Sequence, residues 1–202
     1  LALLFVITGG LMTACSGNED KKLGESDPLL AEVELKKDFE IPADFKIGVI
    51  LLHDEDSTYD LNFINAIKRV QKALGLSDEQ VILKRNIEES NACYEAAKEL
   101  AEKGCKIVFA DSFGHESFMV EAAKKFPDVQ FCHATGTTAH TEKLDNFHNA
   151  FASIYEGRYL AGIAAGLKLN ELKEAGKLKG DVPMMGYVGA YTYAEVISGY
   201  TS

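Results

Sequence analysis

Positive charge is in short supply in this chain. Only 21 Lys and Arg oppose 31 Asp and Glu, giving a formal net charge of -10. A phosphate backbone would meet a like-charged surface, so nucleic acid is excluded as a partner. Glycine is missing where a dinucleotide fold needs it. The turn after the first apolar run, HDEDST at 53–58, has acidic residues in place of the backbone N–H cradle that holds pyrophosphate, which excludes NAD, FAD and nucleoside triphosphates. Counted from Asp54, the EF-hand glycine and glutamate positions hold Tyr59 and Asn65, so this is no calcium loop of that kind. The acidic residues fit a solvated helix N-terminus, where the dipole favours them; no cofactor and no metal is expected. The four cysteines show neither a CxxC nor a zinc spacing. Cys93, Cys105 and Cys132 lie in or beside apolar segments and are expected to be buried free thiols, with any pairing unassignable from their spacing.

What is present begins with an uncharged apolar stretch, LALLFVITGGLMTAC at 1–15, about as long as a secretory h-region and too short to span a bilayer, which takes roughly 20 apolar residues. It is expected to be the remnant of a signal peptide. Its end, Met12-Thr13-Ala14-Cys15, resembles a bacterial lipobox, which implies cleavage before Cys15 and a diacylglyceryl thioether on its sulfur. Residues 16–42, rich in Asp, Glu, Lys and Gly with Pro28 and Pro42, suit a solvated tether.

Beyond the tether the hydrophobic pattern switches period repeatedly. Residues 47–52 are continuously apolar and suit a strand buried on both faces, and from Tyr59 the apolar positions Leu61, Ile64, Ile67, Val70, Ala73 and Leu74 follow helical spacing. Strands are expected again at 80–85, 106–110, 129–133 and 146–152, with helices at 88–103, closed by Gly104, and at 116–126, ended by Pro127. This alternation predicts an α/β fold with a Rossmann-like, doubly wound parallel sheet. Its outgoing loops HDEDSTYD, DSFGHE and ATGTTAH should converge at one edge, where such sheets bind ligands. Residues 155–169 form a helix dominated by Gly and Ala, 170–181 a polar loop or helix end, 185–190 a further strand, and a last helix starts at Tyr193. The final elements cannot cover their own apolar faces, so a second lobe is expected to be incomplete.

Several chemistries compete for the convergent loops. Ala110-Asp111-Ser112-Phe113-Gly114 has the small-x-Ser-x-Gly form of a nucleophile elbow, which makes a secreted serine hydrolase with Ser112 as nucleophile the alternative function; otherwise the Ser112 hydroxyl caps the next helix or bonds a ligand. Acidic residues after the first strand, Asp111 after the third and Thr135 after the fourth follow a receiver layout, without the lysine a receiver needs after its fifth strand. The aromatic residues Tyr59, Phe113, Tyr191 and Tyr193, all near strand ends among small polar side chains, suit a flat polar ligand such as a nucleobase or a sugar.

Four blocks in one order carry a resemblance: FADSFGHES at 109–117, FPDVQFCHATG at 126–136, YEGRYLAGIAAG at 155–166 and MGYVGAYTYAEVISGY at 185–200. With them the chain resembles the basic membrane protein family, the substrate-binding lipoproteins of ABC importers for purine nucleosides and related ligands. The resemblance implies a type I periplasmic-binding fold of two α/β lobes that close on a ligand without catalysis. The lobes would divide as 43–150, a complete first lobe, and 151–202, the start of a truncated second one. It also implies an ABC permease as partner and a lipid-anchored place on the extracytoplasmic face of the cell membrane. Where family members carry Asp-x-Ser-Phe-Asn, with the ring stacked on the base, this chain has Ser57-Thr58-Tyr59-Asp60, so Tyr59 would stand for Phe and Asp60 for Asn. The ligand-binding set expected on this basis is Asp56, Ser57, Tyr59, Asp60, Ser112, Phe113 and Gly136 from the first lobe, with Tyr193 and Glu195 from the second.

Overall fold

The structure is a computed structural model that describes residues 40–178, 180, 182–190, 192 and 194–201. Five short strands form one all-parallel sheet: β1 (Ile47–Ile50), β2 (Val81–Lys84), β3 (Ile107–Ala110), β4 (Gln130–Ala134) and β5 (Phe147–Ala150), in the order β2-β1-β3-β4-β5. Every residue of β1 is buried, as its unbroken apolar run requires of a strand flanked on both sides. The register sets Ile47 beside Val81 on one side and Ile107 on the other, and Ile50 beside Lys84 and Ala110. The chain adds β2 to one side of β1 and then turns back to add β3 to the other. That reversal makes the C-terminal ends of β1 and β3 the switch point of the sheet.

Helices cover both faces. Alternate β1 side chains, Ile47 and Val49, point with Leu51 into a cluster holding Ile64 of α1 (Thr58–Leu74). Ile50 points the other way, into the larger cluster with Leu100, Val108, Met119 and Phe131, which α2 (Asn91–Glu102) and α3 (Glu116–Lys125) close. Gly48 lets α2 come down onto β1, because a Cβ there would stand 2.8 Å from Leu100 Cδ1. Local signals set the ends. Ser57 caps α1 at its start, and Gly75, at φ 65°, supplies the left-handed residue that stops it. Ser90 caps α2, so residues 88 and 89 belong to the loop and not to the helix. Cys93 and Cys105 are buried free thiols, and Cys132 is free and half-buried.

A short α4 (Ala139–Glu142) precedes β5. Beyond β5, α5 spans Ile154–Glu174 and α6 Ala194–Thr201. Two expectations change here. The helix runs five residues past 169, because Glu, Leu and Lys at 171–174 are good helix formers and nothing before Gly176 stops it. Residues 185–190 form no strand: no neighbouring strand among the described residues offers them a ladder, and Val188 stands 94% exposed. The small-residue stripe of α5 is uncovered at Gly157, Gly162 and Gly166. Contact with α6 is close at Gly199, where a Cβ would lie 2.9 Å from Arg158 Cγ. No helix among the described residues is long and apolar enough to cross a membrane.

Leu100, fully buried between α2 and β1, tests this packing. Leu100→Ala should lower unfolding free energy by about 2–5 kcal/mol with an unchanged denaturant slope, measured by urea titration.

Candidate functional site

The switch point is built from the loop after β1, the first turn of α1 and the end of β3. Asp60, in that first turn, is fully buried. Its carboxylate gathers the whole preceding loop: it accepts from the His53 amide at 2.8 Å and from the Ser57 hydroxyl at 2.6 Å, and His53 Nδ1 lies at 3.3 Å. Ser57 Oγ in turn accepts from the Asp60 amide at 3.3 Å. Burial opposes the charge, but the Ser57 hydroxyl and the His53 amide outweigh it and hold Asp60 below the usual carboxylate range. The expected ligand carboxylate therefore sits inside the loop, under an imidazole that is 60% exposed.

Asp111 follows β3 and is also fully buried. The Leu52 amide donates to its Oδ1 at 3.2 Å. Burial, then the hydrogen bond to Asp60 and the repulsion from it, push Asp111 up to about 8. The backbone carbonyl of Asp111 accepts from the Tyr59 hydroxyl at 2.8 Å. Burial and the nearby Asp111 carboxyl push that phenol up to about 12, so Tyr59 is a neutral donor. Its ring leans on Phe63 at 5.1 Å, and Phe63 on Phe109 at 5.8 Å, yet Tyr59 remains 45% exposed. The result is a ring fixed at its hydroxyl end and open on part of its surface at the sheet edge.

The remaining first-lobe residues line the neighbouring loops. Ser112 donates its hydroxyl to Glu89 Oε1 at 2.5 Å, and the Gly114 amide donates to the same oxygen at 2.8 Å. A Cβ on Gly114 would collide with that carboxylate. Phe113 opens a single 3-10 turn and is half-buried. Gly136 is buried, and a Cβ there would collide with the Glu116 carboxylate and the His133 ring. Glu116 accepts from the Thr138 amide at 2.8 Å and from Asn149 Nδ2 at 3.1 Å, which ties α3 to β5. Asp56 is exposed, on a turn in which its amide donates to Asp54 Oδ1 at 3.0 Å. Glu195 falls in α6, while Tyr193 and Cys15 lie outside the described residues.

Nothing in this arrangement supports Ser112 as a nucleophile. His133 Nε2 bonds the Ser112 backbone carbonyl at 2.7 Å, and His115 Nε2 bonds the carbonyl of Ile87 at 2.9 Å. Both imidazoles are thus turned to backbone, and the serine hydroxyl is held by a carboxylate. Ser112 does not cap the following turn through its side chain either. The acidic loop is occupied by pairing: Glu55 forms a forked bond to Arg85, at 2.8 Å from Nη2, and Asp54 accepts from Asn86 at 3.2 Å. No metal-holding cluster of His, Cys, Asp and Glu occurs among the described residues. A hollow of about 460 Å³ runs along α2, lined by Lys84, Glu95 and Glu99 among others. It lacks the buried polar groups that converge at the strand ends, which is why the site is placed there.

Residues 49–190 match the family described as ABC transporter substrate-binding protein PnrA-like. The chain belongs to this family. A curated relative, a purine-binding protein of Brucella abortus, is 35% identical over 158 residues, covering 78% of this chain and 41% of its own. A putative ABC transporter glucose-binding protein of Haloferax volcanii is 30% identical over 100 residues, covering 50% of this chain and 22% of its own. Among solved structures, an ABC transporter solute-binding protein of Conexibacter woesei aligns at a TM-score of 0.53 with 20% identity, over 60% of this chain and 40% of that one, a likeness of fold. The chain thus spans less than half the length of the curated relatives it matches. Within this family's fold the sheet is the Rossmann-like first lobe of the type I periplasmic-binding architecture.

His53, Glu89, Asp111, Glu116 and Asn149 stand in the site network although they were not in the expected ligand set. Asp111 had a signal: it is the first polar residue after a buried strand beside the switch point. Glu89 had none, because its partners lie 23 and 25 residues downstream. Removing the Ser57 hydroxyl should cost both the helix cap and one of the donors to Asp60. Ser57→Ala is expected to lose about 0.5–2 kcal/mol of unfolding free energy in urea titration, whereas Ser57→Thr should retain most of it.

Proposed function

We propose that the protein is the solute-binding lipoprotein of an ABC importer, taking a small polar ligand, a nucleoside, between two lobes and delivering it to a membrane permease. The observation that carries this is the Tyr59 ring, part exposed at the switch point and braced by the Asp111 carbonyl. A planar base can lie on such a ring, and the adjoining loops carry polar groups that could meet a sugar. The relative named for purine binding supports the base, and the one named for glucose binding supports a sugar hydroxyl pattern; a nucleoside contains both. Tyr59, Phe113 and Gly136 would meet the ligand from the first lobe, with Asp56, Ser57, Asp60 and Ser112 setting the loops around it, and Tyr193 and Glu195 would approach from the second.

The chain is proposed to divide as a signal peptide remnant at 1–15, a tether at 16–42, a first lobe at 43–150 and the start of a second at 151–202. Lipidation at Cys15 would hold the protein on the extracytoplasmic face of the membrane. No covalent bond is made or broken in the cycle, so a fluorophosphonate should leave Ser112 unlabelled. Labelling there would revive the hydrolase.

Thermal shift and calorimetry on the full-length gene product, with nucleosides, free bases and hexoses, test the ligand class. A purine nucleoside is expected to raise the melting temperature, and Tyr59→Ala to weaken its binding by about 10- to 100-fold, the loss of roughly 1–3 kcal/mol of base stacking. If neither nucleosides nor hexoses shift the melting temperature, the importer assignment fails.

A further inference from the structure

Two buried carboxyl groups meet at the switch point, and their hydrogen-bond partners do not balance. Asp60 accepts from the His53 amide, the Ser57 hydroxyl and the His53 ring, so both its oxygens are satisfied as an anion. Asp111 accepts from the Leu52 amide on Oδ1 only. Its Oδ2 is shut off from solvent and receives no donor. The amides that the two carboxyls accept from, Leu52 for Asp111 and His53 for Asp60, are consecutive in the chain, so the two buried carboxyls lie side by side and each acts on the other's protonation. Two acceptors cannot bond without a proton, and two adjoining buried anions repel. We infer that Asp60 and Asp111 hold one proton between them, resident on Asp111 Oδ2 and donated to the Asp60 carboxylate, and that this proton pins the loop after β1 and the start of α1 to the end of β3.

Asp111 is then a positioning residue that acts through two neighbours. Its side chain fixes Asp60, and its carbonyl fixes the Tyr59 ring. The titratable groups facing the pair are His53 and the Asp54 carboxylate from the loop after β1, the Tyr59 phenol from α1, the Cys93 thiol from α2 and His115 from the turn after β3. None of these is a fixed cation. Burial favours the neutral forms of Cys93, whose thiol is pushed up to about 12, and of His115, which is pushed below the usual imidazole range. Neither neutral group offsets a second carboxylate.

The consequence for pH follows from linkage. A carboxyl with its folded pKa raised from 3.8 to about 8 binds its proton more tightly when folded, so its contribution is complete below 3.8, declines as pH rises through that window, and is gone above about 8. Asp60 runs the opposite way, since its depressed pKa contributes above the unfolded value and is lost in acid. Carbon-13 NMR of the aspartate side chains in the intact, ligand-free protein should show Asp111 still protonated at pH 6 and titrating through about 8. In parallel, Asp111→Asn keeps a donor for Asp60 but has nothing to titrate. Its melting temperature relative to wild type should climb between pH 5 and 8 and then level off. A simple packing role for Asp111 would leave that difference independent of pH. An Asp111 carboxyl already ionised at pH 6, or a proton resident on Asp60, overturns the inference. So do parallel melting curves, and if Asp111→Asn fails to fold, the wild-type titration decides alone. No ligand enters the experiment, so its outcome is separate from that of the importer assignment.

Discussion

The desolvation of Asp60 is the constraint on which the candidate site depends. An ionised carboxylate is expensive inside a protein unless donors surround it. Here the donors come from the loop residues that precede it, His53 and Ser57, so meeting the requirement folds the loop. Ser57 Oγ also accepts from the Asp60 amide and so caps α1, and Tyr59, one residue before Asp60, is placed at the rim. Loop shape, helix start and ring position are therefore one event. Asp54 and Glu55, which dominate the look of the loop, take part only at its outer edge, where Asn86 and Arg85 meet them.

Strand order converts this local event into a site. Because β3 pairs with β1 on the side away from β2, the end of β3 lies beside the α1 start, and Asp111 comes next to Tyr59 and Asp60. Farther along, Glu116 links α3, the loop after β4 and Asn149 of β5 in the same manner, a carboxylate gathering backbone and amide donors. Gly136 is the sterically required partner of that link, since any side chain there would occupy the carboxylate's place. The strand-end edge is thus held by three acidic side chains, Asp60, Glu89 and Glu116, each spanning two segments of chain.

Periodicity made the sheet legible. The strands and the three main helices were visible as short stretches rich in apolar residues alternating with helical spacing, most plainly at β1, where burial between two helical layers leaves no freedom for polar residues, and least at β5, whose Phe-His-Asn-Ala is half polar. The 185–190 segment shows the limit: an apolar run is necessary for a buried strand, but a strand also needs a neighbour, and sequence does not supply one. The site was less legible for a related reason. Ser112 sits in a run with the local form of a nucleophile elbow, yet what it does is decided by Glu89 from another loop and by a His133 that chose the backbone carbonyl. Ser57 could be recognised, because helix caps act within three residues. Asp111 pairs across 51 residues with Asp60, and no local pattern encodes that.

The tyrosine at position 59 ties these levels together. A phenylalanine there could present the same ring face, but nothing would hold its far edge. The hydroxyl adds one hydrogen bond to the Asp111 carbonyl, a net gain of about 0.5–1.5 kcal/mol in typical proteins, and that is enough to favour one ring position several-fold. Restricting the ring before the ligand arrives lowers the ordering cost of binding, which is how preorganisation raises affinity without a new contact. The restriction also has a direction: the ring is braced from β3, so its placement inherits whatever holds β3 against the loop after β1. In this chain that is the β1–β3 ladder, carried on by the Asp111 amide to the Ile50 carbonyl and the Leu52 amide to the Asp111 carboxyl. The Asp60–Asp111 pair is added beneath the ring, so the aromatic surface at the rim is fixed through the same residues that close the sheet edge.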